Sequence, residues 1–260
     1  MLILVLLSAC TNDNDNIIYG DTETIYADDR EILIKFYHDT GGDNWERNDN
    51  WCSEKPIDEW YGVDVDDNGR VWKISLGPNS LKGKGTLSGC TALTRLSCWD
   101  NQLTSLDVSG CTALVILSCQ CNQLTSLDVS GCTALEHLWC VDNQLTSLDV
   151  SGCTALRILD CDKNQLTSLD VSGCTALERL DCYINQLTSL DVSGCTALWY
   201  LDCRDNQLTQ EITGIFAEID SFLHDERYKY YRDADGLIQY RDRGKGWWYP
   251  GEPGKGYHGE

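Results

Sequence analysis

Cysteine is the residue best placed for chemistry in this chain. Twelve of its fifteen cysteines fall into two series with a spacing of 21 residues: Cys90, Cys111, Cys132, Cys153, Cys174 and Cys195, and Cys98, Cys119, Cys140, Cys161, Cys182 and Cys203. Thiols on one period form disulfides, bind metal, or pack as free side chains. No histidine accompanies them and their neighbours are leucines, so a hard cation finds no ligands, and we assign no metal and no cofactor. Rungs of a stacked repeat lie roughly 4.7–5 Å apart, inside the disulfide Cα range. Bridging a regular ladder would nonetheless strain the side chains, whereas free cysteine is a small hydrophobe suited to a narrow core. Buried free thiols are therefore expected. Cys121 lies outside both series, beside variable positions.

Carboxylates share the period. Asp160, Asp181 and Asp202 should stack, with Asp162 beside them. Like charges at that spacing repel, so the row needs Arg179, Arg204 and Lys163 as counter-ions, a basic partner residue, or Ca²⁺. A second row, Asp107, Asp128, Asp149, Asp170 and Asp191, is constant and is assigned a turn role. The four histidines (His38, His137, His224 and His258) are scattered over separate regions. No nucleophile elbow, zinc-protease helix motif or phosphate loop is present, so the chain is not read as an enzyme.

What must position these groups is a repeat. LTSLDVSGCTAL begins at Leu103, Leu124, Leu145, Leu166 and Leu187, with a partial copy at 85–102 and a degenerate one at 71–81. In a rotated register the unit is L-x-x-L-x-C-x-x-N-x-L, as in Leu177, Leu180, Cys182, Asn185 and Leu187. This resembles the leucine-rich repeat, with Cys in place of the third apolar residue. The resemblance implies an α/β solenoid of about seven repeats over residues 71–208, with short parallel strands on the concave face, a helical N-cap and a β-rich C-cap. On each strand Leu180 and Cys182 would point inward, and Arg179, Asp181 and Tyr183 outward. Asn101, Asn122, Asn143, Asn164, Asn185 and Asn206 would satisfy turn backbone groups and bond the neighbouring turn. The Gly of each SGC would take a positive φ, and LTSLDVS would form a narrow extended return.

Differences between copies are confined to VILSCQC, EHLWCVD, RILDCDK, ERLDCYI and WYLDCRD, with TRLSCWD in the partial copy. The exposed Thr and Ser of LTSLDVS do not vary. The varied positions form one outward face carrying Arg95, Trp99, His137, Trp139, Asp160, Asp162, Arg179, Asp181, Tyr183, Tyr200, Asp202 and Arg204. Aromatics and Arg among Asp are an interface composition, and a rigid face loses little entropy on binding. Protein or peptide recognition is therefore expected. The formal net charge of -21 excludes nucleic acid.

The ends have different compositions. Residues 1–10, MLILVLLSAC, read as a secretory signal too short to span a bilayer. Leu7-Ser8-Ala9-Cys10 resembles the bacterial lipobox, which implies acylation of Cys10 and a membrane anchor. Residues 11–27 are an acidic tether resembling the export signal of Bacteroidetes surface lipoproteins, which implies an outer-membrane, surface-exposed location. Residues 28–70, with a helical pattern and Trp45, Trp51 and Trp60, resemble the N-terminal cap of plant-type and many bacterial leucine-rich repeat proteins. The likeness to internalin-type surface proteins implies adhesion. Residues 209–260 combine helix-like spacing, a β-hairpin pattern with Asp235-Gly236 at its turn, and an aromatic tail. That segment serves as a C-cap, or alternatively as a glycan platform in which Trp247, Trp248 and Tyr249 stack on sugars. An envelope spacer without a specific ligand is the remaining alternative.

Overall fold

The computed structural model describes residues 29–208, 228–232 and 238–242. Among the described residues one α-helix, α1 (Asp29–Asp39), precedes the strands. These are β1 (Val63–Val65), β2 (Val71–Ser75), β3 (Lys82–Thr86), β4 (Arg95–Ser97), β5 (Gln102–Asp107), β6 (Ile116–Ser118) and β7 (Leu127–Asp128). They continue as β8 (His137–Trp139), β9 (Ile158–Asp160), β10 (Arg179–Asp181), β11 (Tyr200–Asp202), β12 (Tyr228–Arg232) and β13 (Ile238–Asp242). Ten of them form one sheet in the order β1-β2-β4-β6-β8-β9-β10-β11-β12-β13. The members from β2 to β11 are parallel, one per coil. β1 closes one edge antiparallel to β2, and the antiparallel pair β12–β13 continues the other, with Tyr230 opposite Tyr240. The return side carries the parallel sheet β3-β5-β7, extended by single bridges from Asp128 to Asp149 and on to Asp170. The fold is a leucine-rich repeat solenoid with extended returns. Its helix content is lower than an α/β class implies, because among the described residues the coils contain no helix.

Each coil turns Leu, Val and Cys inward. In the coil that contains β10, the side chains of Leu177, Leu180, Cys182, Leu187, Leu190, Val192 and Cys195 are all buried. Fully burying a Leu or Val contributes about 1.5–3 kcal/mol, and the repeat renews that contribution in every coil. All the described cysteines are free thiols, and the twelve ladder members are buried. In the return ladder Cys111, Cys153 and Cys195 donate to Leu87 O, Val129 O and Val171 O of the preceding coil at 3.3, 3.4 and 3.4 Å. Burial raises the Cys153 thiol to about 11 and the Cys98 thiol to about 12, so neither is a nucleophile near neutral pH.

The asparagines bond coil to coil. Asn143 Oδ1 accepts Leu124 N–H of the preceding return at 3.0 Å. Its Nδ2 donates to Cys119 O of the preceding coil and to Cys140 O of its own, each at 3.1 Å. Asn122, Asn164 and Asn185 repeat this pattern.

The glycines depart from expectation. Positive φ is found at Gly89 (94°) and Gly110 (78°), but from Gly152 on the reason for glycine is space. A Cβ would stand 2.2 Å from Ser130 O at Gly152, 2.5 Å from Ser151 O at Gly173 and 2.6 Å from Ser172 O at Gly194. Successive coils approach too closely there for any side chain. The left-handed turn lies elsewhere, at the residue before each Asn: Asp100 (53°), Cys121 (55°), Asp142 (54°), Lys163 (51°), Ile184 (51°) and Asp205 (53°).

Before the first coil, α1 buries Leu33, Phe36 and Tyr37 against Trp45, Trp51 and Trp60. Ring centroids are 4.9 Å apart for Trp45–Trp51 and 5.1 Å for Trp51–Trp60. Every indole N–H is satisfied internally, on Thr40 O, Tyr61 O and Lys55 O. These rings pack as a plug and do not form an open platform. Asp29 anchors the helix to β2 by accepting from Arg70 Nε and Val71 N, both at 2.8 Å. Among the described residues no helix is long and apolar enough to cross a membrane.

Candidate binding face

Strand pairing sets the varied residues in columns. The first runs Lys73, Arg95, Ile116, His137, Ile158, Arg179, Tyr200. The second runs Ser75, Ser97, Ser118, Trp139, Asp160, Asp181, Asp202. A third, just past the strands, holds Trp99, Gln120, Val141, Asp162, Tyr183 and Arg204, stacked by bonds such as Asp142 N to Asp162 O (3.0 Å) and Ile184 N to Arg204 O (3.1 Å). The alternation of the strand places Leu and Cys on the opposite side, in the core.

The face changes character along its length. At the N-terminal end Trp99 is 37% exposed, Arg95 is exposed, and His137 and Trp139 are half-buried. The rings of His137 and Trp139 meet edge-on at 5.3 Å between centroids. Toward the C-terminal end the face closes. Asp162, Asp181, Asp202 and Arg204 are only 6, 2, 0 and 8% exposed. This corrects the expectation that all twelve residues point into solvent. A buried carboxylate requires a cation or donors, and two of these carboxylates have both. Arg179 Nε donates to Asp181 Oδ2 at 2.6 Å. Arg204 holds Asp202 through two bonds of 2.6 Å, Nε to Oδ1 and Nη2 to Oδ2. The guanidiniums also lie over rings, Arg179 at 4.4 Å from Tyr200 and Arg204 at 5.7 Å from Tyr183. Lys163, expected as a third counter-ion, stands exposed at a positive-φ turn instead.

Asp162 lacks such a cation. Its Oδ1 accepts Tyr183 N–H at 2.9 Å. Burial first, then the charges of Asp160, Asp181 and Asp202, raise its carboxyl to about 9, so it holds its proton at neutral pH. Burial, followed by Asp181 and Asp202, raises the Tyr200 phenol well above its ordinary value. Among the described residues no group of three or more His, Cys, Asp or Glu has a metal-holding arrangement.

The constant carboxylates of the return have a separate role. Asp149 and Asp170 accept Ser151 N–H and Ser172 N–H at 3.0 and 2.9 Å, closing the turn, and these bonds hold both carboxyls below the ordinary range. Sequence reasoning missed the left-handed row that borders the face, although Asp at three of its six positions was a signal. Cys10 and the signal and tether segments, and Trp247, Trp248 and Tyr249 of the glycan reading, lie outside the described residues.

The family described as leucine-rich repeats (two copies) matches residues 91–131 and 133–173. No curated protein matches the chain. The functional domain of InlJ from Listeria monocytogenes, described as including a cysteine ladder, is 46% identical over 47% of this chain and 27% of its own, with a TM-score of 0.46. YopM, a leucine-rich effector protein from Yersinia pestis, is 21% identical over 49% of this chain and 35% of its own, with a TM-score of 0.43. The structure of PEPR1-AtPEP1 is 18% identical over 71% of this chain and 32% of that one, with a TM-score of 0.51, a likeness of fold. The chain thus spans about a third or less of these solved chains.

Proposed function

We propose that this leucine-rich repeat solenoid recognises a protein or peptide partner through its strand face, as a lipid-anchored protein exposed on a bacterial cell surface. One observation carries the recognition reading. Every difference among the five full copies lies in a seven-residue tract, and those tracts supply β6, β8, β9, β10 and β11, in register on one sheet. The scaffold is constant while the face varies, as expected where new contacts are selected on a preserved frame. Trp99, His137 and Trp139, with Arg95 beside them, are the accessible anchors, and Arg179, Tyr183 and Tyr200 border the closed end. Trp, Tyr and Arg are the side chains that most often carry interface energy. Anchoring through Cys10 and surface exposure rest on the lipobox-like start and the acidic segment after it. The reading contains no catalytic step: among the described residues His137 is the only histidine on the face, and burial keeps the ladder thiols protonated.

The test is a screen of residues 20–260 against surface proteins and glycans, run beside a Trp99→Ala, His137→Ala, Trp139→Ala variant. A protein hit that weakens by tenfold or more in the variant supports recognition through this face. A hit that survives unchanged, whether protein or sugar, overturns it.

A further inference from the structure

The closed end of the strand face contains one carboxyl without a cation and one hydrogen-bond donor without an acceptor. Asp162 is a buried carboxyl with no lysine or arginine paired to it among the described residues. The charged and titratable groups around it are Asp160, Lys163 and the Cys161 thiol on its own coil, the Cys140 thiol on the one before, Asp181, Tyr183 and the Cys182 thiol on the next, and Asp202 and Arg204 on the one after. Arg179 is committed to Asp181 and Arg204 to Asp202, and Lys163 stands exposed at its turn. The donor is at Arg204, where Nη1 is buried and has no hydrogen-bond acceptor. An orphaned, buried charged N–H is costly and is not left so without a reason.

Both groups belong to the third column, two coils apart with Tyr183 between them. By strand spacing that separation is roughly 10 Å, which about three residues of extended peptide span. A divalent cation would serve the carboxylates but leave the guanidinium N–H without an acceptor. A peptide segment serves both groups, with a basic side chain for the carboxyl and a main-chain carbonyl for Nη1. We propose that the closed end of the strand face receives a lysine or arginine of the partner at Asp162, with the partner's main chain lying against Arg204. This rests on the recognition reading and adds the chemistry of the partner. For the segment to dock, the half-buried Tyr183 ring must turn aside. Docking also carries a proton signature: the carboxyl, protonated in the free protein, releases its proton to solvent when the ammonium or guanidinium arrives.

The probe is hexa-arginine, titrated into the full chain by calorimetry at pH 6, 7 and 8 in two buffers of different ionisation heat. Release of about one proton per peptide is expected, with affinity rising about tenfold per pH unit below the carboxyl's pKa. Asp162→Asn keeps the acceptor for Tyr183 N–H and should weaken binding about tenfold or more at pH 8 while flattening the pH dependence. Asp142→Asn, an exposed carboxylate one coil away, should change binding by less than about twofold. Spermine, a cation without carbonyls, should bind more weakly than hexa-arginine if Arg204 takes part. Binding that is absent, pH-independent or equal in Asp162→Asn overturns the inference. A partner lost from the Trp99, His137 and Trp139 variant yet showing no proton release would sink this inference alone and leave the recognition reading standing.

Discussion

Asn143→Ala tests how far the coils depend on their asparagines. The side chain makes three buried bonds of 3.0–3.1 Å, one received from Leu124 N and two given to Cys119 O and Cys140 O. The two carbonyls keep a second donor each, from Asn122 and Asn164. Losing those bonds therefore costs about 1 kcal/mol apiece. Leu124 N–H has no other acceptor among the described residues, and an orphaned buried donor adds about 1–3 kcal/mol. The sum is about 3–5 kcal/mol, large for a chain whose total stability is on the order of 5–15 kcal/mol. Urea unfolding at pH 7, followed by far-ultraviolet circular dichroism, measures it directly, with Gln144→Ala as the exposed neighbour expected to stay within about 0.5 kcal/mol. A loss below about 1 kcal/mol for Asn143→Ala would refute the reasoning, because it would mean that the coils satisfy these groups without the ladder.

Three further predictions concern separate features. Ile184 is β-branched, at φ 51° and 42% exposed, so Ile184→Asn should stabilise by about 1 kcal/mol and raise Tm by about 2–4 °C in a thermal scan; a lower Tm would contradict the strain. Gly173→Ala places a methyl 2.5 Å from Ser151 O, whereas Gly131 has open space. The first should cost about 1–3 kcal/mol and Gly131→Ala should be neutral or mildly stabilising in urea titrations, so equal effects would count against close coil approach as the cause. Asp162 keeps in the folded state a proton that the unfolded chain releases between its ordinary carboxylate value and about 9. Stability should therefore fall as pH rises through that window, and Asp162→Asn should remove a slope worth on the order of a few kcal/mol between pH 5 and 8; parallel pH profiles for the two proteins would argue against it.

The inward set was legible because a period of 21 printed it repeatedly. With Leu180 and Cys182 assigned to the core, strand alternation placed Arg179 and Asp181 on the other side, and the pairing agrees. The asparagine bonds were legible for the same reason. The depth of the face was not. Nothing in WYLDCRD states that Asp202 is sealed under a guanidinium two residues on, because exposure depends on what lies across the coils and not on the order of residues along one. The glycine of SGC was assigned a backbone role, which Gly89 and Gly110 have, but Gly152, Gly173 and Gly194 need it for clearance, a distance between coils that no single coil encodes. The left-handed row was written as Asp100, Asp142 and Asp205, but Cys121, Lys163 and Ile184 at the same position obscured it. The tryptophans of residues 45–60 were read correctly as plugs because three large rings beside an amphipathic helix have few other ways to leave water.

The thiol ladders impose an order of events on the making of this protein. Once the coils close, the ladder sulfurs are buried and hold their protons, which makes them poor targets for oxidants. Before closure, the same twelve groups lie along an open chain at a regular interval, free to join in many wrong combinations. In an oxidising compartment, native protein would therefore be the product of a race between coil stacking and sulfur oxidation. A coil that stacks quickly would protect its own two thiols and give the next coil a template, so that speed of stacking decides how many of the twelve sulfurs stay reduced.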